Sequence, residues 1–383
     1  MPVYNSIYNG ICTLKSPLFW IVVGIIFFQY KRIGEMGKKT LGMMKISPVE
    51  NTLRSIIIGM LGGILAGVVF SHLNIIINPK DFYFILPLAI ILSLIHPRFI
   101  CFAYSGGIVS ILSLVFGYPN VNVSGIMMMV GVLHLVESLL ILIDGAVGKI
   151  PFFMEKGGNI IGGFTMNRFW PVPFTVPVNR GHIFPITIIA ILGYGDFALT
   201  NYPETKVKET SRILFLFSII LILFAKLSNQ HHIFGYAAAI FAPFGHELTI
   251  GIGRIREKGG NYIFTPSDKG LKILDVLPNG IGERMGFEPG DIILSINDNR
   301  INNKEDIENI LYYRPKFIWV DVLDREKGLI TKEYKELKKG IVNLGIMVVT
   351  SYPRYTFMMK RPKNPIGELI KRLNKKKATS KIK

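Results

Sequence analysis

The residues of this 383-residue chain that could do chemistry sit mostly in apolar surroundings. His246-Glu247 sets an imidazole beside a carboxylate. A helical zinc site of that type needs a second histidine four residues on, so that both rings face one metal. Ile250 holds that position, so no metal ligand is assigned. Asp144 and Asp196 are the next candidates. Two carboxylates in one site share a proton and serve as acid and base. Asp196 closes Gly193-Tyr194-Gly195-Asp196, and Asp144 follows Leu142-Ile143 and precedes Gly145. Ser105 lies in Ala103-Tyr104-Ser105-Gly106, where small residues serve helix packing at least as well as nucleophilic attack. Cys12 and Cys101 are too far apart in sequence to imply a disulfide or a metal site. There is no phosphate-binding glycine loop. No catalytic residue and no cofactor is assigned.

The elements that would position these groups are membrane spans. Half of the residues are hydrophobic, and several apolar runs approach the ~20 residues that cross a bilayer. The formal charge of +18 would suggest nucleic acid in a water-soluble chain. Here the basic residues flank apolar runs or crowd the C-terminal end, which points to lipid headgroups and topology and not to nucleic acid. Spans are predicted at 17–30, 55–77, 82–96, 99–118, 123–143, 182–199 and 213–227. Gly59, Gly62, Gly63 and Gly67 suit close helix packing in the second. The run 233–250 is interrupted by Pro243, His246 and Glu247 and reads as re-entrant or interfacial, with an eighth span as the alternative. Residues 144–181, with Trp170, Pro171, Pro173 and Pro177, read as a long interfacial loop.

The first apolar run lacks the preceding charge and small-residue cleavage site of a signal peptide. Lys31, Arg32, Lys38, Lys39, Lys45 and Arg54 follow it, and only Lys15 precedes it. The positive-inside rule then puts the N-terminus outside and this loop in the cytoplasm. On that topology Asp144 and Asp196 lie at opposite membrane faces and do not form a dyad. Asp144→Asn and Asp196→Asn are each expected to be tolerated.

Residues 269–302 have a different texture. Leu271, Ile273 and Val276 mark a strand, and Pro278-Asn279-Gly280 ends it. Residues 281–285 fit a short helix. Gly286, Pro289, Gly290 and Asp291 force a reversal before Ile292-Ile293-Leu294-Ser295-Ile296, and Asn297-Asp298-Asn299 turns again. Phe317 to Val322 and Lys332 to Leu337 read as a strand pair, and 341–349 as a closing strand. The order of these signals resembles a bacterial PDZ domain. The fold class is therefore a polytopic α-helical membrane domain (1–253) followed by a small β-rich α+β PDZ-like domain (254–354) and a basic tail (355–383). From Lys360 the tail holds ten basic residues and one acid, Glu368, and suits anionic lipid.

The PDZ resemblance implies that a peptide adds as a strand at a sheet edge, with its carboxylate held by backbone amides. The wall helix is predicted at 303–311, with Ile307 and Leu311 on one face lining the groove. Ile307→Lys is then expected to weaken binding without unfolding the domain. The carboxylate loop is placed by resemblance at Tyr262-Ile263-Phe264, with Asn343-Leu344-Gly345-Ile346 as the competing site. The whole layout, including the short first span, the basic loop and Phe244-Gly245-His246-Glu247 before the soluble domain, is similar to the MinJ-like division-site topology proteins. That likeness implies a scaffold, enriched at septa and poles, that bridges DivIVA-like and MinD-like proteins. The alternative is a PDZ-regulated intramembrane protease. His246-Glu247 with Leu142-Ile143-Asp144-Gly145 resembles part of the site-2 metalloprotease motifs, residues 193–196 the GxGD aspartyl proteases, and 103–106 distantly the rhomboid serine motif.

Overall fold

The computed structural model describes residues 2–41, 45–73, 75–179 and 183–350. The basic tail and the expected domain end at residue 354 lie outside the described residues.

Helices form where apolar runs meet capping residues. α1 (Pro2–Thr13) leads into α2 (Pro17–Leu41). α3 (Pro48–His72) starts at Ser47, whose side chain accepts the Glu50 amide, with Pro48 in the first turn. α4 (Phe82–Ile95) and α5 (Phe102–Phe116) follow. α6 (Val123–Asp144) is capped by Asn122, which accepts the Gly125 amide. α7 (Pro203–Leu227) and α8 (His232–Gly259) complete the set. Among the described residues five helices are long and apolar enough to cross a membrane: α2, α3, α6, α7 and α8. The interruption expected in 233–250 does not occur. α8 runs unbroken through Pro243, which sits where a Cβ on Gly107 of α5 would otherwise lie, 2.6 Å from the ring.

The segments 144–181 and 182–199 are corrected outright. Instead of a loop and a span they form β1 (Ile150–Lys156), β2 (Asn159–Asn179) and β3 (Ile183–Ala198), a three-stranded antiparallel sheet in the order β1-β2-β3. β2 and β3 pair from Phe164↔Ala198 to Asn179↔Ile183. Met166, Arg168, Trp170, Val172, Phe174, Val176 and Val178 alternate along β2 and are all buried, against α3 and α6. This is the period of a strand. The prolines stand on the intervening residues, whose backbone faces away from β3. Phe169 N–H donates to the Tyr30 hydroxyl at 3.0 Å, and Pro177 C=O accepts from Ile77 N–H at 3.1 Å on that same side. Beyond Thr165 β2 has no strand on that side, so proline there costs no ladder bond. Two glycines of α3 serve this strand and not another helix. A Cβ on Gly59 would fall 2.1 Å from the Pro171 carbonyl oxygen, and one on Gly63 would fall 1.9 Å from that of Pro173.

The C-terminal domain follows the predicted order. β4 (Leu271–Val276), α9 (Ile281–Arg284), β5 (Ile292–Ile296), β6 (Asn299–Arg300), α10 (Lys304–Tyr312), β7 (Phe317–Asp324), β8 (Gly328–Lys335) and β9 (Ile346–Val348) form a sheet in the order β8-β7-β5-β4-β9, with β6 on β5. Positive φ at Asn297 (49°) and Asp298 (60°) gives the β5–β6 hairpin the turn whose twist matches its strands. α10 begins with a capping box between Asn303 and Asp306. Its core holds Ile273, Ile293, Ile296, Ile301, Ile318, Val320 and Val322, each fully buried.

The domain rests on the membrane part. Gly162 N–H donates to Phe264 C=O at 2.7 Å, and Phe153, Phe164, Phe264, Leu274 and Val349 share one cluster. Lys45, in the basic loop between α2 and α3, pairs with Asp275 of β4 at 2.5 Å.

Candidate functional site

β9 is one of the two edge strands of the C-terminal sheet, β8 being the other, and it follows Asn343-Leu344-Gly345. Val349 N–H donates to Lys272 C=O at 2.8 Å and Leu277 N–H to Gly345 C=O at 2.8 Å, so 345 and 349 face β4. By alternation the amides of Ile346 and Val348 face outward. Gly345 turns the chain at φ +69°, a region L side chains avoid, and the Asn343 side chain accepts its amide at 2.8 Å. The C-terminal end of α10 adjoins this loop. Ile341 N–H donates to Pro315 C=O at 2.9 Å, and Gly340 packs against Arg314. The result is an outward row of donors beside a helix, with an exposed arginine near the loop. It offers what an extended peptide with a free carboxylate requires.

Tyr262, Ile263 and Phe264 are elsewhere. Ile263 N–H is bonded to Leu199 C=O at 3.1 Å, Phe264 C=O to Gly162, and the Phe264 ring is fully buried against Phe164 at 5.3 Å. Ile263 N–H and Phe264 C=O are committed to the hairpin, which leaves 343–346 as the candidate for the carboxylate loop. Ile307 and Leu311 do lie on one face of α10, but each is only 6% exposed and belongs to the core with Leu344 and Val348. They are core residues of the domain. A lysine at 307 would bury an unpaired charge, so Ile307→Lys is expected to unfold the domain. Sequence order alone could not tell which end of the domain supplies the edge strand, because both ends carry short apolar segments.

The acids are placed apart. Asp144, fully buried, accepts from Arg54 Nε at 2.6 Å, Arg168 Nε at 2.7 Å and Trp170 Nε1 at 2.8 Å. Arg168 continues to Asn51 at 2.6 Å and Ser55 at 3.3 Å. Asp196, on β3, accepts from Thr210 at 3.2 Å and lies 3.5 Å from buried Lys206, which also approaches Glu257 at 3.7 Å. Glu257 accepts the Leu199 and Thr200 amides at 2.7 and 2.9 Å. Each aspartate is held by cations and donors. No contact joins Asp144 to Asp196, and the dyad has no geometry here. Ser105 is buried in α5. His246 meets Cys101 and His134 instead of a second histidine on its own helix. His134 carried no signal in the sequence, being a lone imidazole in an apolar run.

Outside the spans, charge and burial set two opposed titrations. Burial pushes the Asp275 carboxyl up, with Lys45 pulling it back. Bonds from Ser295 and Thr331 hold Asp321 below the usual carboxylate range.

Comparison with known proteins agrees with the C-terminal fold. Residues 272–316 match the PDZ domain family. The chain is similar to the cell division topological determinant MinJ of Bacillus subtilis (strain 168), 24% identical over 177 residues. The alignment covers 46% of this chain and 43% of that protein, so it spans less than half the relative's length. Among solved structures, the PDZ domain of the SdrC-like protein from Listeria monocytogenes aligns at 16% identity with a TM-score of 0.19, covering 22% of this chain and 90% of that domain.

Proposed function

We propose that this chain is a membrane scaffold of division-site placement that captures partner C-termini on the β9 edge of its PDZ-like domain. The observation that carries the reading is the outward amide row of Ile346 and Val348 at the edge of the sheet, beside α10. The acids that could have done proteolysis are instead tied into separate structural networks, so the reading is non-enzymatic. Likeness to MinJ supports the division context. The partners proposed are DivIVA-like and MinD-like proteins, with anionic lipid engaging the basic tail. The Lys45–Asp275 pair puts the domain at the same end of the helices as the basic loop, which supports a cytoplasmic domain under the positive-inside rule. The protein would sit in the cell membrane, enriched at septa and poles.

The test is peptide capture by the full-length protein in lipid nanodiscs. Free C-terminal peptides should bind, and the same peptides amidated should bind at least about tenfold more weakly, since a buried charge-assisted bond is worth roughly 1.5–3 kcal/mol. Ile346→Pro removes one outward donor and leaves the Gly345 and Val349 bonds to β4, so it should abolish capture. Equal binding of amidated and free peptides would sink the edge assignment. In cells, a fusion protein spread evenly around the envelope would sink the division reading.

A further inference from the structure

Three metal-ligating side chains meet inside the helical part, far from the PDZ-like edge. Cys101 stands at the start of α5, His134 in the middle of α6 and His246 on α8. One ligand atom from each lies within 4.8 Å of the others. Cys101 Sγ is 3.2 Å from His134 Nε2. Ligands at zinc distances sit about 3.3–3.8 Å apart around a tetrahedral ion, so only small side-chain adjustments separate this cluster from a bound geometry.

The second layer sets which nitrogen is free. His134 Nδ1 lies 2.7 Å from the Val130 carbonyl oxygen, which only accepts, so Nδ1 carries the proton and Nε2 keeps its lone pair. The Tyr104 hydroxyl donates to Glu247 at 2.8 Å and stands 3.0 Å from His246 Nδ1. With its proton committed to Glu247, that oxygen accepts from His246 Nδ1–H, and His246 Nε2 is likewise left as a donor of electrons. Metal-ligating histidines are held in this way, the far nitrogen tied to a carbonyl or, through a relay, to a carboxylate. Glu137 Oε2, 3.9 Å from His134 Nε2, lies just outside this cluster, where it could partner a bound water. Thiolate and carboxylate together offset the two charges of a divalent ion in an apolar setting.

We propose that Cys101, His134 and His246 bind one zinc ion. A thiolate with two imidazoles suits zinc and disfavours magnesium and calcium, which take oxygen ligands. The ion would pin α8 to α5 and α6. α8 continues to Glu257, which holds the end of the hairpin, and then leads into the PDZ-like domain. Zinc occupancy would thereby set how rigidly that domain is carried.

The full-length protein, purified in detergent from zinc-supplemented cells without chelator, should contain about one zinc per chain by elemental analysis. Cys101→Ser, His134→Gln and His246→Gln should each lose it, while the double variant His231→Gln/His232→Gln, at the start of the same helix, should keep it. Cobalt exchanged into the wild type should give a thiolate charge-transfer band in the near ultraviolet that Cys101→Ser lacks. Tyr104→Phe should retain the site but weaken affinity about 10–100-fold, as loss of an outer-layer partner does. Wild-type protein with neither zinc nor the cobalt band would overturn the proposal, and so would zinc retained by all three ligand variants. Should those variants fail to accumulate, the wild-type cobalt band decides, and its absence leaves a plain thiol–imidazole hydrogen bond.

Discussion

Two sheets in this chain solve the same problem in opposite settings. The C-terminal sheet keeps one face on a core of isoleucine and valine and the other toward polar surroundings, with β8 alternating half-buried and exposed positions. The β2–β3 hairpin is pressed against α3 and α6, and its other face still shows Ile191. The first is stabilised by turn chemistry and apolar burial. The second adds a buried ion network, in which Arg168 and Asp144 are 0% exposed. Strand formation therefore needs no polar face. It needs alternation on the buried side and an account of each edge.

The largest effect expected from breaking this contrast is at Asp144. Asn at this position leaves Arg168 buried without its counter-charge, a loss of about 3–5 kcal/mol. The tolerance expected from sequence is thus reversed, and thermal unfolding in detergent should show a collapsed transition for Asp144→Asn. Asp196→Asn, at a mostly buried position where Lys206 keeps Glu257 at 3.7 Å, should lose less by the same measurement. A native-like Asp144→Asn protein would mean the hairpin stands without its ions.

Next comes the glycine contact. Gly63→Ala forces a methyl into the Pro173 carbonyl and should cost about 1–3 kcal/mol as overpacking does. Gly24→Ala on α2, with no atom within 4 Å of its Cβ, is the control. Equal unfolding temperatures for the two variants would show that α3 does not hold the hairpin closely.

The C-terminal sheet should instead answer to pH. Asp321, held low, contributes stability that is complete above the ordinary carboxylate range and is lost as pH falls through its lowered value. Asp275, pushed up, works the other way: its folded form holds a proton more tightly, so its contribution is greatest at low pH and fades as pH rises through the raised value. Amide exchange in the full-length protein should show β7 losing protection and β4 gaining it on acidification. Asp275→Asn should erase only the β4 response. Parallel responses in both strands would contradict these assignments.

The smallest change is at the latch. Lys45→Ala removes one partly buried pair and should raise exchange in β4 only a few-fold, about 1 kcal/mol or less. Silent exchange in β4 would leave the Phe264 cluster as the main attachment.

Much of the C-terminal fold was legible because its signals are local and ordered. Asn297-Asp298 demanded a tight hairpin, and Asn303 with Asp306 announced α10. The candidate peptide edge was less so, since whether β9 or residues 262–264 border β4 is a long-range fact. The hairpin was missed for two reasons. Residues 183–192 are apolar on both faces and match a span by composition, and three prolines disguised the alternation from Met166 to Val178. His134 shows the same limit at the level of a site. Its partners come from α5 and α8, and no spacing along one helix could reveal them.

The prolines of β2 have one further consequence. An amide hydrogen left unpaired in an apolar layer costs several kcal/mol, which is why open sheet edges avoid lipid. Pro171, Pro173 and Pro177 have no such hydrogen, and their carbonyls meet Gly59, Gly63 and the Ile77 amide. The prolines thin out the donors on this rim, and the Phe169 amide is spent on the Tyr30 hydroxyl. α3 covers that rim through Gly59 and Gly63, so a second copy of the hairpin cannot pair along it.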